Sequence, residues 1–327
     1  MRLWIGLLAC AAAVAAQAPK GWVKGKGYGW IWGPQDEVGA LNAIRGPDWV
    51  RRALAEVKLG RVYDLGVRVD RRSYKWPGHS PIEVMTFRSP QGVKTGKDIP
   101  GFAAHPRGLA FHSCALFISD NVGTQIDSLG HITRGRDDHW YNGFRELDYG
   151  GDFGLRKADA DSIPPIIARA VLVDVAGWKG VDALPSRFAI GPRELEGALA
   201  RQQVAIEPGD AVLIRTGTLR FWGESGADHD RIAQHDSAGL TLEGARWLVE
   251  QKGAVLIASD TSGLEWGGDS GLPVHEYLLI EQGVHIGEFF YLEELARDKA
   301  WRFALIVTTN RIRGTTAGFA LRPLALR

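Results

Sequence analysis

Between Asn121 and His131 the chain reads NVGTQIDSLGH, which sets oxygen and nitrogen donors around a Gly-Thr pair at a spacing suited to half of a metal site. Side chains alternate between faces along a strand, so Asn121, Gln125 and Asp127 would point one way; on a helix Asp127 stands about 120° from the Asn121/Gln125 stripe. The spacing therefore predicts an extended segment. Gly123 lets the backbone run close to a bound ion or substrate, and Asp127 supplies the negative charge that a cation site needs. His131 follows as a candidate proton carrier.

A catalytic metal keeps several protein ligands and an open position, and the C-terminal half offers partners. His275 in GLPVHEYLL and Glu288 in GVHIGEFF lie in two short apolar segments joined by a turn at Glu281-Gln282-Gly283. A hairpin-like or helix–strand unit there could bring both to one place. Glu276 and His285 are close alternatives that apolar periodicity does not separate from them. Asp260 ends a strand pattern, where open α/β sheets commonly place their sites, although a turn aspartate fits that position too. His112 and His139 lie near the motif and receive no role. Gly268-Asp269-Ser270-Gly271 is like the surroundings of a serine-protease nucleophile, but Leu272 breaks the G-x-S-x-G elbow and the helical patterns oppose a double β-barrel.

These residues need elements to hold them. Trp49, Val50, Ala53, Leu54 and Val57 are spaced for one buried helical face after Gly46-Pro47, to about Leu59, with Gly60 as terminator. Residues 61–67 read as a strand and 70–110 as long, Gly/Pro-punctuated loops. Ala110–Ser119 is an apolar run leading into the motif, so the donors are expected just after a buried strand. Further on, ARAVLVDVAG and GDAVLIRTG read as buried strands with a helix from about Pro192 to Arg201 between them. Thr241 can cap a helix whose Leu242, Ala245, Leu248 and Val249 share a face, Gly253 closes it, and Ala254–Ser259 and Trp301–Thr309 are further strands. With no internal repeat and no Pro/Ser-rich linker, the alternation predicts one α/β unit.

Of 327 residues, 45% are hydrophobic and 24% charged, which is enough apolar sequence for a substantial core. A net charge of +1 gives no global field to attract nucleic acid or an acidic membrane. Met1-Arg2, an apolar run from Leu3 to Ala16 and the A-x-A pattern Ala16-Gln17-Ala18 predict a signal peptide over residues 1–18. The run is shorter than the roughly 20 apolar residues of a membrane span. A periplasmic or secreted protein is expected, with Cys114 as its one remaining cysteine and hence no intramolecular disulfide.

The chain resembles the cyclase family of metal-dependent hydrolases, which includes bacterial kynurenine formamidase, isatin hydrolase and relatives acting on cyclic or aryl amides and lactones. The family motif H-x-G-T-H-x-D-x-x-x-H stands here as N-V-G-T-Q-I-D-S-L-G-H. WGPQDEVGALNAI, VLVDVAGWKG, GDAVLIRTG, AGLTLEGARWLVE, LIASDT, the spaced His275 and Glu288, and TTAGFALRPLAL are similar to family landmarks in family order. The resemblance implies a swivelling β/β/α single domain over residues 19–327. It also implies Asn121, Gln125 and Asp127 as ligands of a first site, with His275 and Glu288 completing it or binding a second ion, and His131 as general base.

Asn121 and Gln125 stand where the family has histidines, a variant similar to that of the trans-dienelactone hydrolases. Their neutral amide oxygens are harder donors than imidazole, which shifts preference from zinc toward manganese. The implied activity is a divalent-metal-dependent hydrolase that opens a small cyclic amide, lactone or aryl formamide with metal-activated water, His131 taking or relaying its proton. An exported binding protein with a degenerate, non-catalytic metal site is the competing class. Trp30, Trp32, Phe111 and Trp140-Tyr141 are expected to wall an apolar pocket for a flat ring. A homo-oligomer with a small-molecule substrate is expected, with no nucleic acid and no membrane partner after signal removal.

Overall fold

The computed structural model describes residues 18–327 except 81, 104, 224 and 225, so the expected leader lies almost wholly outside the described residues. The apolar runs of the second half assemble into one curled, nine-stranded sheet. Its strands in spatial order are Val62–Asp64, Leu324–Leu326, Arg302–Val307, Ile166–Asp174, Ala211–Arg215, Leu256–Ser259, His285–Glu288, Gln125–Asp127 and Ala317–Gly318. The four from Ile166–Asp174 to His285–Glu288 run parallel. The last three of these are buried at every residue, because both sheet faces are covered. This is a mixed α/β single domain.

The covering helices follow their sequence signals closely. Pro192–Gln202 opens on a proline, whose missing N–H costs nothing at that position. Thr241 Oγ1 accepts from the Gly244 N–H at 3.2 Å, and Gly253 closes the following helix with φ +70. Leu242–Arg246 runs on through a π-helical stretch, Trp247–Gln251, and Pro273–His275 likewise through Glu276–Gln282. Among the described residues no helix is long and apolar enough to cross a membrane.

Two expectations need correction. The first helix is Pro47–Leu54 and stops short of Leu59, with Leu54 46% and Val57 36% exposed. A short helix is sustained by burial of its apolar face, and only Ala53 is fully buried there. Ala110–Ser119 is not a buried strand: Ser113–Phe117 pairs with Glu83–Arg88, inside the presumed loop region, as a two-stranded arm outside the main sheet. Leu116 and Phe117 are exposed, so apolar content was a poor guide to burial in that ribbon.

Candidate metal centre

The motif is anchored where the sheet turns antiparallel. Gln125–Asp127 pairs with His285–Glu288 so that Gln125 faces Glu288 and Ile126 faces Gly287, and on its other edge Asp127 faces Ala317. Residues directly opposite share a sheet face, and Asp127, two positions on, shares it with Gln125. The strand is shorter than the spacing predicts: residues 121–124 form a turn, so Asn121 reaches the others through a hydrogen bond and not by alternation. Gly123 adopts φ +70 and a Cβ there would meet Val69 Cγ1 at 2.4 Å. Its close approach is thus to Val69. Thr124 pins the turn by donating from Oγ1 to the Phe289 carbonyl at 2.6 Å and accepting from the Val67 N–H at 2.9 Å.

Three of the sequence candidates converge on one point. The ligand atoms of Asp127, His275 and Glu288 all lie within 4.8 Å of one another, and all three residues are buried. His275 Nε2 stands 3.9 Å from Asp127 Oδ2 and 3.6 Å from Glu288 Oε1. Ligands each roughly 2.0–2.2 Å from a common cation stand about 3–4 Å apart, so this spacing fits a shared divalent ion. Both carboxylate oxygens of Asp127 and Oε1 of Gln125 are buried with no hydrogen-bond partner. Buried acceptors are expensive to leave unpaired, and a hard dication is the partner this oxygen-rich set suits.

The electrostatics agree. Burial, and then the Asp127 charge, push the Glu288 carboxyl up to about 8. Burial works to lower His275, but its contacts with Glu265 and Glu288 and the charge of Asp127 outweigh that and hold it up to about 10. Without a dication the site therefore gathers protons to balance its carboxylates.

The remaining candidates lie around this point or away from it. Asn121 is adjacent, with Oδ1 accepting from Gln125 Nε2 at 3.0 Å and Nδ2 donating to Asp120 Oδ1 at 2.9 Å. His131 is half-buried, its ring 6.3 Å from that of His275 and its Nδ1 3.4 Å from Thr316 Oγ1. The proposed aromatic wall lies elsewhere: Trp140 is fully buried in the core and Trp32 packs against it. Trp30 sets its edge on Tyr141, and Phe111 sits edge-to-face with Phe102 at 5.4 Å. Asp260 is fully buried and structural, accepting from the N–H groups of Thr216 and Gly217. Of the alternatives, Glu276 pairs with Arg134, and His285 Nδ1 lies 2.8 Å from the Asp127 carbonyl behind the site.

The sequence reading missed the cavity that opens onto His275. It holds about 370 Å³, and Tyr74, Trp76 and Trp266 supply its aromatic surface. Asp236 lines it as well, accepting from the Tyr74 hydroxyl at 3.1 Å and the Ser262 N–H at 2.7 Å. Glu265 was also missed; it accepts from His275 Nδ1 at 2.7 Å. Trp76 and Trp266 carried no periodic signal, because both lie in irregular segments.

With fold and site in view, the relationships become specific. The model of the family described as "Putative cyclase" matches residues 63–266, more than half of the chain, and the protein belongs to that family. A solved structure described as a novel cyclase is 28% identical, with a TM-score of 0.78, covering 95% of this chain and 100% of its own. Isatin hydrolase A from Labrenzia aggregata is 19% identical with a TM-score of 0.55, over 81% of this chain and 93% of that one. An isatin hydrolase bound to the product analogue thioisatinate is 18% identical with a TM-score of 0.57, over 85% and 96%. The last two share the fold. No protein of curated function matches the chain in sequence.

Proposed function

We propose that the protein is a divalent-metal-dependent hydrolase that opens a small cyclic amide, lactone or aryl formamide. The observation that carries this reading is the convergence of Asp127, whose two buried carboxylate oxygens have no hydrogen-bond donor, with His275 and Glu288. The likeness to isatin hydrolases, and to a structure named a predicted metal-dependent hydrolase from Bacillus stearothermophilus at 17% identity, supports the same class. Asp127, Gln125, His275 and Glu288 would hold the cation, and three oxygen donors with one nitrogen favour manganese over zinc. When bound, the cation polarises the substrate carbonyl and acidifies water.

The protein's own groups do the rest. Thr316 Oγ1 spends its proton on Asp120 Oδ2 at 3.0 Å, so toward His131 it can only accept. That assigns the His131 proton to Nδ1 and leaves Nε2 as the base that takes a proton from water and returns it to the leaving nitrogen or oxygen. Tyr74, Trp76 and Trp266 offer flat apolar surface for a ring beside His275. The apolar leader and its A-x-A pattern support export to the periplasm or medium.

Metal analysis of the purified protein, paired with assays on lactones, cyclic imides and N-formyl anilines, tests the reading. One or two divalent ions per chain and metal-dependent turnover are expected, both abolished in Asp127→Asn. Turnover that survives in that variant removes the mechanism, and metal uptake without turnover of any panel member points to a binding protein.

A further inference from the structure

His275 reaches the site through one ring nitrogen, and its other nitrogen is already engaged. Nδ1 lies 2.7 Å from Glu265 Oε2, and the two side chains are each only 6% exposed. Glu265 serves two more donors: Oε1 accepts from the Val274 N–H at 2.9 Å and Oε2 from the His275 N–H at 3.3 Å. A carboxylate accepts and does not donate, so a ring nitrogen this close must carry the proton. Nε2 is then the nitrogen turned toward Asp127 and Glu288.

We propose that Glu265 is a positioning residue of the metal centre, fixing the His275 ring and its Nδ1 proton so that Nε2 presents a lone pair to a divalent cation. Outer carboxylates of this kind orient ligating histidines and raise their basicity. The same carboxylate ties down the segment that carries the ligand, since Val274 and His275 open the helix behind Leu272, which sits at φ +54. Glutamine cannot replace it fully. An amide oxygen turned to Nδ1 leaves an NH2 facing the Val274 N–H, and the reverse orientation leaves an NH2 facing Nδ1. Glu265 also stands between Ser262 and Trp266 on the cavity wall, so the residue that positions His275 and part of the wall share one short stretch of chain.

The inference rests on the reading of Asp127, His275 and Glu288 as a cation site, and the test separates the two. Full-length mature wild type, Glu265→Gln and Glu265→Ala are titrated with manganese and with zinc by calorimetry. The His275 ring N–H is followed by proton–nitrogen NMR in protein free of metal and in zinc-loaded protein. Wild type is expected to show a downfield, slowly exchanging Nδ1–H in both states, lost in Glu265→Ala, with cation binding weakened about 10–100-fold. Glu265→Gln, which preserves volume, is expected to bind several-fold more weakly than wild type and carries the test if the alanine variant does not fold. A folded variant that loses the Nδ1–H signal yet binds with wild-type affinity overturns the positioning role alone. Wild type that takes up neither metal overturns the hydrolase reading first.

Discussion

Gln125 Nε2 donates to Glu288 Oε2 at 2.7 Å and to Asn121 Oδ1 at 3.0 Å, so the amide nitrogen sits between two acceptors and its oxygen is turned away from both. The strand register enforces this, because Gln125 and Glu288 are directly opposed. The glutamine nitrogen thus holds Glu288 in place, while its buried oxygen is left without a donor and free, on the proposed reading, to serve a cation.

Gln125→His should accordingly change the metal preference. Imidazole is a softer donor than an amide oxygen, and the variant should move toward zinc when manganese and zinc compete for limiting protein. Gln125→Ala removes both contacts and leaves Glu288 Oε2 without its donor, at a cost of about 1–3 kcal/mol in the metal-free protein. Competition followed by elemental analysis, together with denaturant melts, reads both effects. An unchanged manganese-to-zinc ratio in Gln125→His would count against coordination by this side chain.

Chelation should destabilise the protein, and Asp127→Asn should reverse that ordering. A ligand at a hundred times its Kd stabilises the folded state by about 2.7 kcal/mol, which corresponds to a melting shift of roughly 4 °C in a domain of this size. Asp127 is 0% exposed and neither of its oxygens accepts a hydrogen bond, so in metal-free wild type it is left to the imperfect balance of the protons that the site gathers. Asp127→Asn should therefore melt above metal-free wild type and gain nothing from added manganese. Thermal scans with and without chelator decide it; equal gains in the two proteins would place the cation elsewhere.

The parts of the site legible in the sequence are those fixed by strand alternation and by motif order. Gln125 and Asp127 share a face because the strand period is two, and the buried parallel strands read as unbroken apolar runs because both of their faces are covered. His275 and Glu288 stood out by their order after the motif. Glu265 did not, because Ser262–Gly271 is an irregular, glycine-rich segment whose contact with His275 is set by loop geometry and leaves no period to read. Trp30, Trp32 and Trp140 show the converse failure: tryptophan is common in both cores and pockets, and only tertiary packing separates the two.

Thr316→Val should slow turnover while sparing substrate and metal binding. The hydroxyl joins His131 to Asp120, and the isosteric methyl keeps the volume but frees the imidazole to change tautomer and rotate. His131→Ala should lower kcat about 10²–10⁴-fold, the usual worth of a positioned base, with Thr316→Val intermediate and KM nearly constant in both. Steady-state kinetics on metal-loaded protein measures the split. A rise in KM without loss of kcat would assign this pair to substrate binding instead.

Asp260 should give stability a distinctive slope in mildly acidic solution. Burial pushes its carboxyl up to about 6 from 3.8, against the opposing hydrogen bonds from Thr216. A group whose folded value lies above its unfolded value leaves the folded state holding more protons between the two. Its contribution is therefore fully present below about 4, declines as pH rises through about 6, and is constant beyond; the full excursion is at most about 3 kcal/mol. Asp260→Asn cannot ionise, so its urea midpoints should lack this component between pH 4 and 6, whatever the variant's absolute stability. Parallel stability–pH curves for wild type and Asp260→Asn over that interval would mean that Thr216 and Gly217 stabilise the carboxylate well enough to cancel its burial.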